Sequence, residues 1–336
     1  MDENIQEMEI PLIPSVPEKK WIKSAYNWGG ATILIAFAIM NVVGLIAALI
    51  AMILYIMKNG YSQQTILAFQ KSISQMNLMM VVINLSGAVV GYPIAFFIGC
   101  SGLKIKARNF FSTKGYTLKF VLLAIVVGLG VQLLGSTLAD LITRLFEHLG
   151  VTLTTIDTST KPQALTNILM YAFTCLVAPI FEEMIFRGIV FKAFSRISIR
   201  FGIIASAAMF ALYHQNVPQM VNAFLGGLFL AYVAYKTGSI IPTIIIHAAL
   251  NANGMIWEAV VYLFGENKAG IASNIWAALI AVSAIAILII YRKKFSLPQN
   301  TREKKKRGFP LFITSWANIT SIIVFVSITI LSIKIK

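Results

Sequence analysis

Residues 176–190 read Leu-Val-Ala-Pro-Ile-Phe-Glu-Glu-Met-Ile-Phe-Arg-Gly-Ile-Val. Apart from Glu182, Glu183 and Arg187, this is the apolar pattern of a helix that crosses a bilayer. Ionisable groups at that depth each cost about 2.5–3.5 kcal/mol on insertion scales, so they persist where they pair or do chemistry. Residues four apart share a helix face, so Glu183 and Arg187 can neutralise one another. Glu182 lies about 100° further round and is free to point into a cavity. One acid is committed and one is available.

Working outward, the whole chain has the same character. Of 336 residues, 58% are hydrophobic and only 12% charged. The mean hydropathy is +0.79. A soluble domain does not reach these values. Apolar runs long enough for a hydrocarbon core of about 30 Å lie near 31–57, 77–100, 118–139, 164–194, 240–262, 271–291 and 311–333. Two shorter helical pieces, 201–214 and 219–236, flank the polar break Gln215-Asn216-Val217-Pro218. The expected fold is all-α: a polytopic transmembrane bundle of eight to nine segments, with a cavity-type active site among the central helices.

The net charge of +15 is topogenic rather than a nucleic-acid footprint. With a cytoplasmic N-terminus, the inside loops collect Lys19, Lys20, Lys23, Lys104, Lys106, Arg108, Lys114, Lys192, Arg196, Arg200, Lys236 and the basic residues from Arg292 to Arg307. Far fewer fall outside, which is the positive-inside pattern. The run Lys304-Lys305-Lys306-Arg307 reads as part of the same topogenic signal, with anionic headgroups as its alternative partner. Acidic, Pro-punctuated residues at the start of the chain do not resemble a cleavable signal peptide. The expected organisation is a disordered cytoplasmic tail (1–24), N-terminal membrane helices (25–163), a catalytic core (164–262) and C-terminal helices with a basic loop at 292–310 (263–336). Cys100 and Cys175 define neither a disulfide framework nor a ligand spacing and are expected to pack.

Two further clusters share the depth of Glu182. His214 ends the piece Phe210-Ala211-Leu212-Tyr213-His214, which is too short to span alone. A non-helical break there is tolerated only if it lines a cavity or is covered by protein. His247 and Asn251, four apart, share a face. Taken singly, each has an ordinary reading as a structural histidine or as hydrogen-bonding glue between helices. At 1.5 Å per residue, Glu182, His214 and His247 all fall roughly 12–21 Å from the basic boundary. Gly128, Gly130, Gly135 and the Gly226-Gly227/Ala231 face read as close helix contacts. Asn41, Asn84 and Asn222 read as interhelical bonds.

Glu-Glu-x-x-x-Arg, Phe-x-x-x-His and His-x-x-x-Asn, in that order on successive membrane helices, resemble the CPBP (Abi) family. That family includes the type II CAAX prenyl endopeptidases and the bacteriocin-processing and bacteriocin-immunity proteases. The likeness covers about 164–262. It implies intramembrane proteolysis with Glu182, Glu183, Arg187, His214, His247 and Asn251 at the site. Peptide hydrolysis needs an activated water, a polarised carbonyl and a proton for the leaving amine. Glu182 suits the base, His214 the water, His247 with Asn251 the oxyanion, and Glu183 held by Arg187 shapes the site.

Two histidines and a glutamate could also ligate Zn²⁺ with the fourth position left for water, although no His-Glu-x-x-His helix is present. Metal-free and zinc-assisted hydrolysis both stay open at this point. The same residue types also describe two non-proteolytic alternatives, an immunity or regulatory protein of the same fold and a proton-coupled transporter. The transporter lacks the expected inverted repeats. The expected partners are the lipid bilayer and a membrane-associated peptide or protein, prenylated or leader-bearing. The expected location is a bacterial plasma membrane.

Overall fold

The computed structural model describes residues 19–74, 78–153, 164–295, 297, 302–331 and 333–335. The chain opens with α1 (Lys19–Asn59), α2 (Gln63–Ser74), α3 (Leu78–Leu103) and α4 (Leu118–His148). A single rod follows, made of α5 (Ala164–Ala172), a π-helical segment Phe173–Val177, α6 (Ala178–Glu183), a second π-helical segment Met184–Val190 and α7 (Phe191–Phe194). Then come α8 (Ile199–Tyr213), α9 (Val217–Thr237), α10 (Ile241–Phe264), α11 (Glu266–Tyr291), α12 (Arg302–Ile313) and α13 (Trp316–Leu331). Two residue pairs, Val151↔Ile335 and Thr152↔Lys334, form a minimal antiparallel ladder.

Seven helical stretches are long and apolar enough to cross a membrane: α1, α3, α4, the rod from Ile168 to Phe194, α9, α10 and α11. Two shorter apolar helices, α8 and α13, bring the described set to the nine anticipated segments. The protein is an all-α, multi-pass membrane protein.

Three boundaries differ from the sequence expectation. Helix α1 begins at Lys19, inside the stretch assigned to a disordered tail, while residues 1–18 lie outside the described residues. The reason is an apolar stripe, Ile22, Ala25, Tyr26, Gly29 and Ile33, that continues the buried face down to the helix's basic first turn. The guanidinium of Arg196 sits over the Trp21 ring at 4.5 Å and fastens that end. The span expected at 311–333 is broken between α12 and α13, where the hydroxyls of Thr314 and Ser315 bond back to Pro310 and Leu311 carbonyls. Such local bonds compete with the helical ladder. Helix α2 was not among the expected segments.

Four loops meet at one end of the bundle. The Ile240 N–H donates to the Phe110 carbonyl (2.9 Å), joining the α9–α10 turn to the α3–α4 loop. Arg200 donates to the Leu297 carbonyl (3.4 Å), joining the start of α8 to the segment after α11. The basic boundaries read from the sequence therefore gather on one face of the molecule.

Between helices, lipid offers no hydrophobic drive, and close van der Waals contact has to supply the association. The glycines provide it. A Cβ at Gly99 would meet Thr32 Oγ1 at 2.6 Å and Ile189 at 3.0 Å, seating α3 and α1 against the rod. Gly227 lets α9 approach the Ala207 backbone of α8, where a Cβ would sit 3.1 Å away, whereas Gly226 faces open space. Asn222 does bridge helices, to Ser136 Oγ (3.4 Å). Asn41 instead donates to the Phe37 carbonyl one turn back on its own helix. Asn84 is exposed.

Candidate active site

The rod's two π-helical segments flank the two glutamates, and the first has a cause in the sequence. The Ala178 N–H bonds the Phe173 carbonyl, five residues back, rather than that of Thr174. In this wider register the Thr174 carbonyl should receive the N–H of residue 179. That residue is Pro179, which has none. An orphan carbonyl within a membrane costs several kcal/mol, and the Asn251 side chain supplies the missing donor, its Nδ2 lying 2.8 Å from Thr174 O. So α10 is fastened to the rod where proline interrupts it. The second π-helical segment, wholly buried, closes with the Phe191 N–H on the Phe186 carbonyl. Segments of this kind recur at functional sites because they displace side chains from the regular 3.6-residue register.

Glu183 lies fully buried at the centre of a charge network. Its Oε1 lies 2.8 Å from Arg187 Nη1 and accepts from His247 Nδ1 at 2.9 Å. The arginine contact is an ion pair without the alignment of a directed hydrogen bond. Arg187, 1% exposed, rests its guanidinium on the face of Phe210, 4.3 Å from the ring centroid. That cation–π contact offsets part of its desolvation. Thr243, one turn before His247, lies beside Glu183. Its hydroxyl is committed to the Ile240 carbonyl at 2.8 Å, and Glu183 Oε2 is left without a donor.

Glu182 behaves differently, as its position round the helix requires. Its side chain keeps 15% exposure, and its Oε2 faces His247 Nε2 at 3.7 Å. The single imidazole of His247 thus stands between the two carboxylates, one on each ring nitrogen. His214 caps the C-terminus of α8, and its Nδ1 lies 2.8 Å from the Phe210 carbonyl. With Nδ1–H donating there, Nε2 holds the lone pair. The charges of Glu182, His247 and Arg187 all act on His214. The break after it is built from Gln215 at positive φ (54°) and an Asn216 cap that accepts from the Gln219 N–H.

Five of the six residues singled out in the sequence are joined here by contact or by charge, from the rod, α8 and α10, whereas Asn251, one turn beyond His247, bonds the Thr174 carbonyl instead. Four others were missed. Phe210 was visible only as a motif letter, yet its ring meets Arg187, His214 (4.7 Å, edge-on) and His247 (6.0 Å, edge-on). Tyr92 from α3 and Tyr213 hydrogen-bond one another beside Glu182, whose charge both feel. Tyr92 also stacks on Phe181 (5.8 Å) and Tyr213 donates to Met40 Sδ (3.3 Å). Thr243, four residues before His247, was legible from helix periodicity alone.

Among the described residues, no three His, Cys, Asp or Glu side chains converge as a metal-holding group. One nitrogen of His247 is already committed to Glu183, and the residues present do not form a three-ligand zinc site in this arrangement.

Residues 164–253 match the family model of the type II CAAX prenyl endopeptidase Rce1-like proteins. This segment contains the rod, α8, α9 and the part of α10 that bears His247 and Asn251. The match implies an intramembrane peptidase of the CAAX-protease type. No curated protein and no solved structure gives a match.

Proposed function

We propose that this protein is an intramembrane endopeptidase that hydrolyses a peptide bond of a membrane-associated substrate, with Glu182 as the base that activates water. The observation that carries this reading is the division of labour between adjacent carboxylates. Glu183 is buried with both Arg187 and His247 on its Oε1, whereas Glu182 is partly open and faces the same imidazole across 3.7 Å.

The chemistry follows from the donors and acceptors. A water held by Glu182 and by the lone pair on His214 Nε2 loses a proton to Glu182 as its oxygen attacks the substrate carbonyl. The resulting oxyanion takes hydrogen bonds from His247 Nε2 and from the Asn251 amide hydrogen that Thr174 does not use. Because His247 Nδ1–H is committed to Glu183, Nε2 donates when the ring carries its second proton, and the flanking carboxylates balance that charge. Glu182 then passes its proton to the leaving nitrogen, and the carbon–nitrogen bond breaks to give an acid and an amine. The buried Glu183–Arg187 pair is neutral overall, which limits the cost of placing it in a membrane.

The basic end of the bundle is the cytoplasmic side in this reading, with the N-terminus on the cytoplasmic face of a bacterial plasma membrane. Substrates are prenylated or leader-bearing peptides that arrive from the cytosol or laterally from lipid. Purified protein in detergent, given a quenched-fluorescent library of CAAX-like and leader peptides, is expected to cleave a subset. Glu182→Gln and His247→Ala are each expected to lower the rate by about 10²–10⁴-fold, the scale of a lost general base or oxyanion donor. Full activity in Glu182→Gln would refute the mechanism, and loss with a zinc chelator would replace it with a metal-assisted one.

A further inference from the structure

Away from the glutamates, an apolar recess among α4, α9 and α11 opens at the basic end of the bundle. It is a narrow cleft between the three helices, open along one side. Its inner wall is hydrocarbon and aromatic: Phe120, Ala124 and Val127 from α4, Phe229 and Val233 from α9, and Ile287 from α11. Its mouth carries Lys236, Lys294 and Tyr291, and none of the lining residues is acidic. The stacked pair Tyr232 and Phe295 (5.9 Å) closes one side.

This recess is separate from the candidate active site. Helix α9 packs on α8 through Gly227, whereas the recess lies on the face bearing Phe229, Val233 and Lys236. Ile246 and Leu250 of α10 join Val121, Ala124 and Val233 in one apolar cluster, and α10 turns its other face, with His247, to the rod.

We propose that the recess is a binding site for a glycerophospholipid with an anionic headgroup. The acyl chain lies between α4, α9 and α11, and the headgroup phosphate is held between Lys236 and Lys294. Three observations fix this occupant. The cations lie only at the mouth, so the ligand has one charged end and one apolar body. Lys236 is in the last turn of α9, and Lys294 ends the 3₁₀ turn that terminates α11. Both therefore stand where membrane helices end, the depth of lipid phosphates. Exposed Lys119, Arg292 and Lys293 adjoin the lining residues in sequence and add to the positive field. Basic pockets between membrane helices are recognised lipid-headgroup sites.

The test uses full-length protein in mixed micelles with phosphatidylglycerol or phosphatidylcholine of identical acyl chains, read by native mass spectrometry and thermal unfolding. Wild type is expected to retain phosphatidylglycerol at least tenfold more strongly and to unfold at a higher temperature with it. Lys236→Gln/Lys294→Gln is expected to erase that preference while unfolding normally in phosphatidylcholine. Lys236→Arg/Lys294→Arg is expected to keep it. Lys119→Gln/Lys293→Gln is the control for diffuse charge, and an equal loss there would overturn the assigned site. Equal retention of both lipids by wild type would overturn it as well. So would displacement of phosphatidylglycerol by a prenylated peptide, which would give the recess to substrate. Competition by glycerol phosphate alone would show a free-phosphate site without the chain.

Discussion

Glu182 and Glu183 are chemically identical neighbours separated by environment, and substitution should tell them apart. Glu183→Gln leaves Arg187 buried without its counter-charge, a defect worth about 3–5 kcal/mol when one partner of a buried pair is removed. We expect a markedly lower unfolding temperature in detergent. Glu182→Gln should unfold like wild type and yet lose turnover. If both variants unfold alike, the assignment of a structural and a catalytic acid fails. This distinction was legible in the sequence, because the helical period alone pairs position 183 with Arg187 and leaves position 182 aside. The partners supplied by other helices were not. Tyr92 comes from α3, about ninety positions away, and no periodicity in 164–262 links it to Glu182. Phe210 shares its helix with His214, but its contact with Arg187 exists only after α8 packs on the rod.

At the scale of elements, the fastening between α10 and the rod is the feature with testable consequences. Asn251 donates where Pro179 cannot, so the two residues should be energetically coupled. Asn251→Leu is expected to cost about 1 kcal/mol, the size of an interhelical hydrogen bond in a membrane. It should lower turnover by about 10²–10³-fold through the lost oxyanion donor. Pro179→Ala restores an N–H at the interrupted position, and in that background the stability cost of Asn251→Leu should shrink. Additive effects in the double-mutant cycle would refute the coupling. The glycine contacts give a second prediction. Gly99→Val forces a side chain against Thr32 and Ile189, and overpacking of that kind costs typically about 1–3 kcal/mol, seen as a lower unfolding temperature. The sequence marked the small-residue seams but not which glycines are occupied; Gly226 and Gly227 are adjacent, and only the structure separates them. Pro179 was in plain view, and its effect emerges only when combined with the π register of the preceding turn.

For the whole molecule, hydropathy was enough to count the segments, since each span must hide its own backbone from lipid. It could not place the ends, because packing of Trp21 and Tyr26 extends α1 and hydroxyl back-bonding splits α12 from α13. The orientation is open to direct measurement. In a variant lacking Cys100 and Cys175, single cysteines at Lys293 and Lys71 should label from opposite sides of sealed vesicles, with Lys293 facing the cytoplasm. Labelling from the same side would contradict the bundle. The unequal helix lengths carry a further consequence. Helix α1 has 41 residues and rises about 61 Å, whereas α13 has 16 and rises about 24 Å, less than the hydrocarbon core of about 30 Å. Lipid-facing Ile319, Ile323 and Ile330 run along that short helix, which packs against α8 with Phe325 on the Tyr213 ring. Acyl chains bordering α13 must compress to match it. The membrane is therefore pinched along the flank that α13 borders. A polar peptide crosses less oil there than beside the longer helices, and turnover should rise in bilayers of shorter-chain lipids.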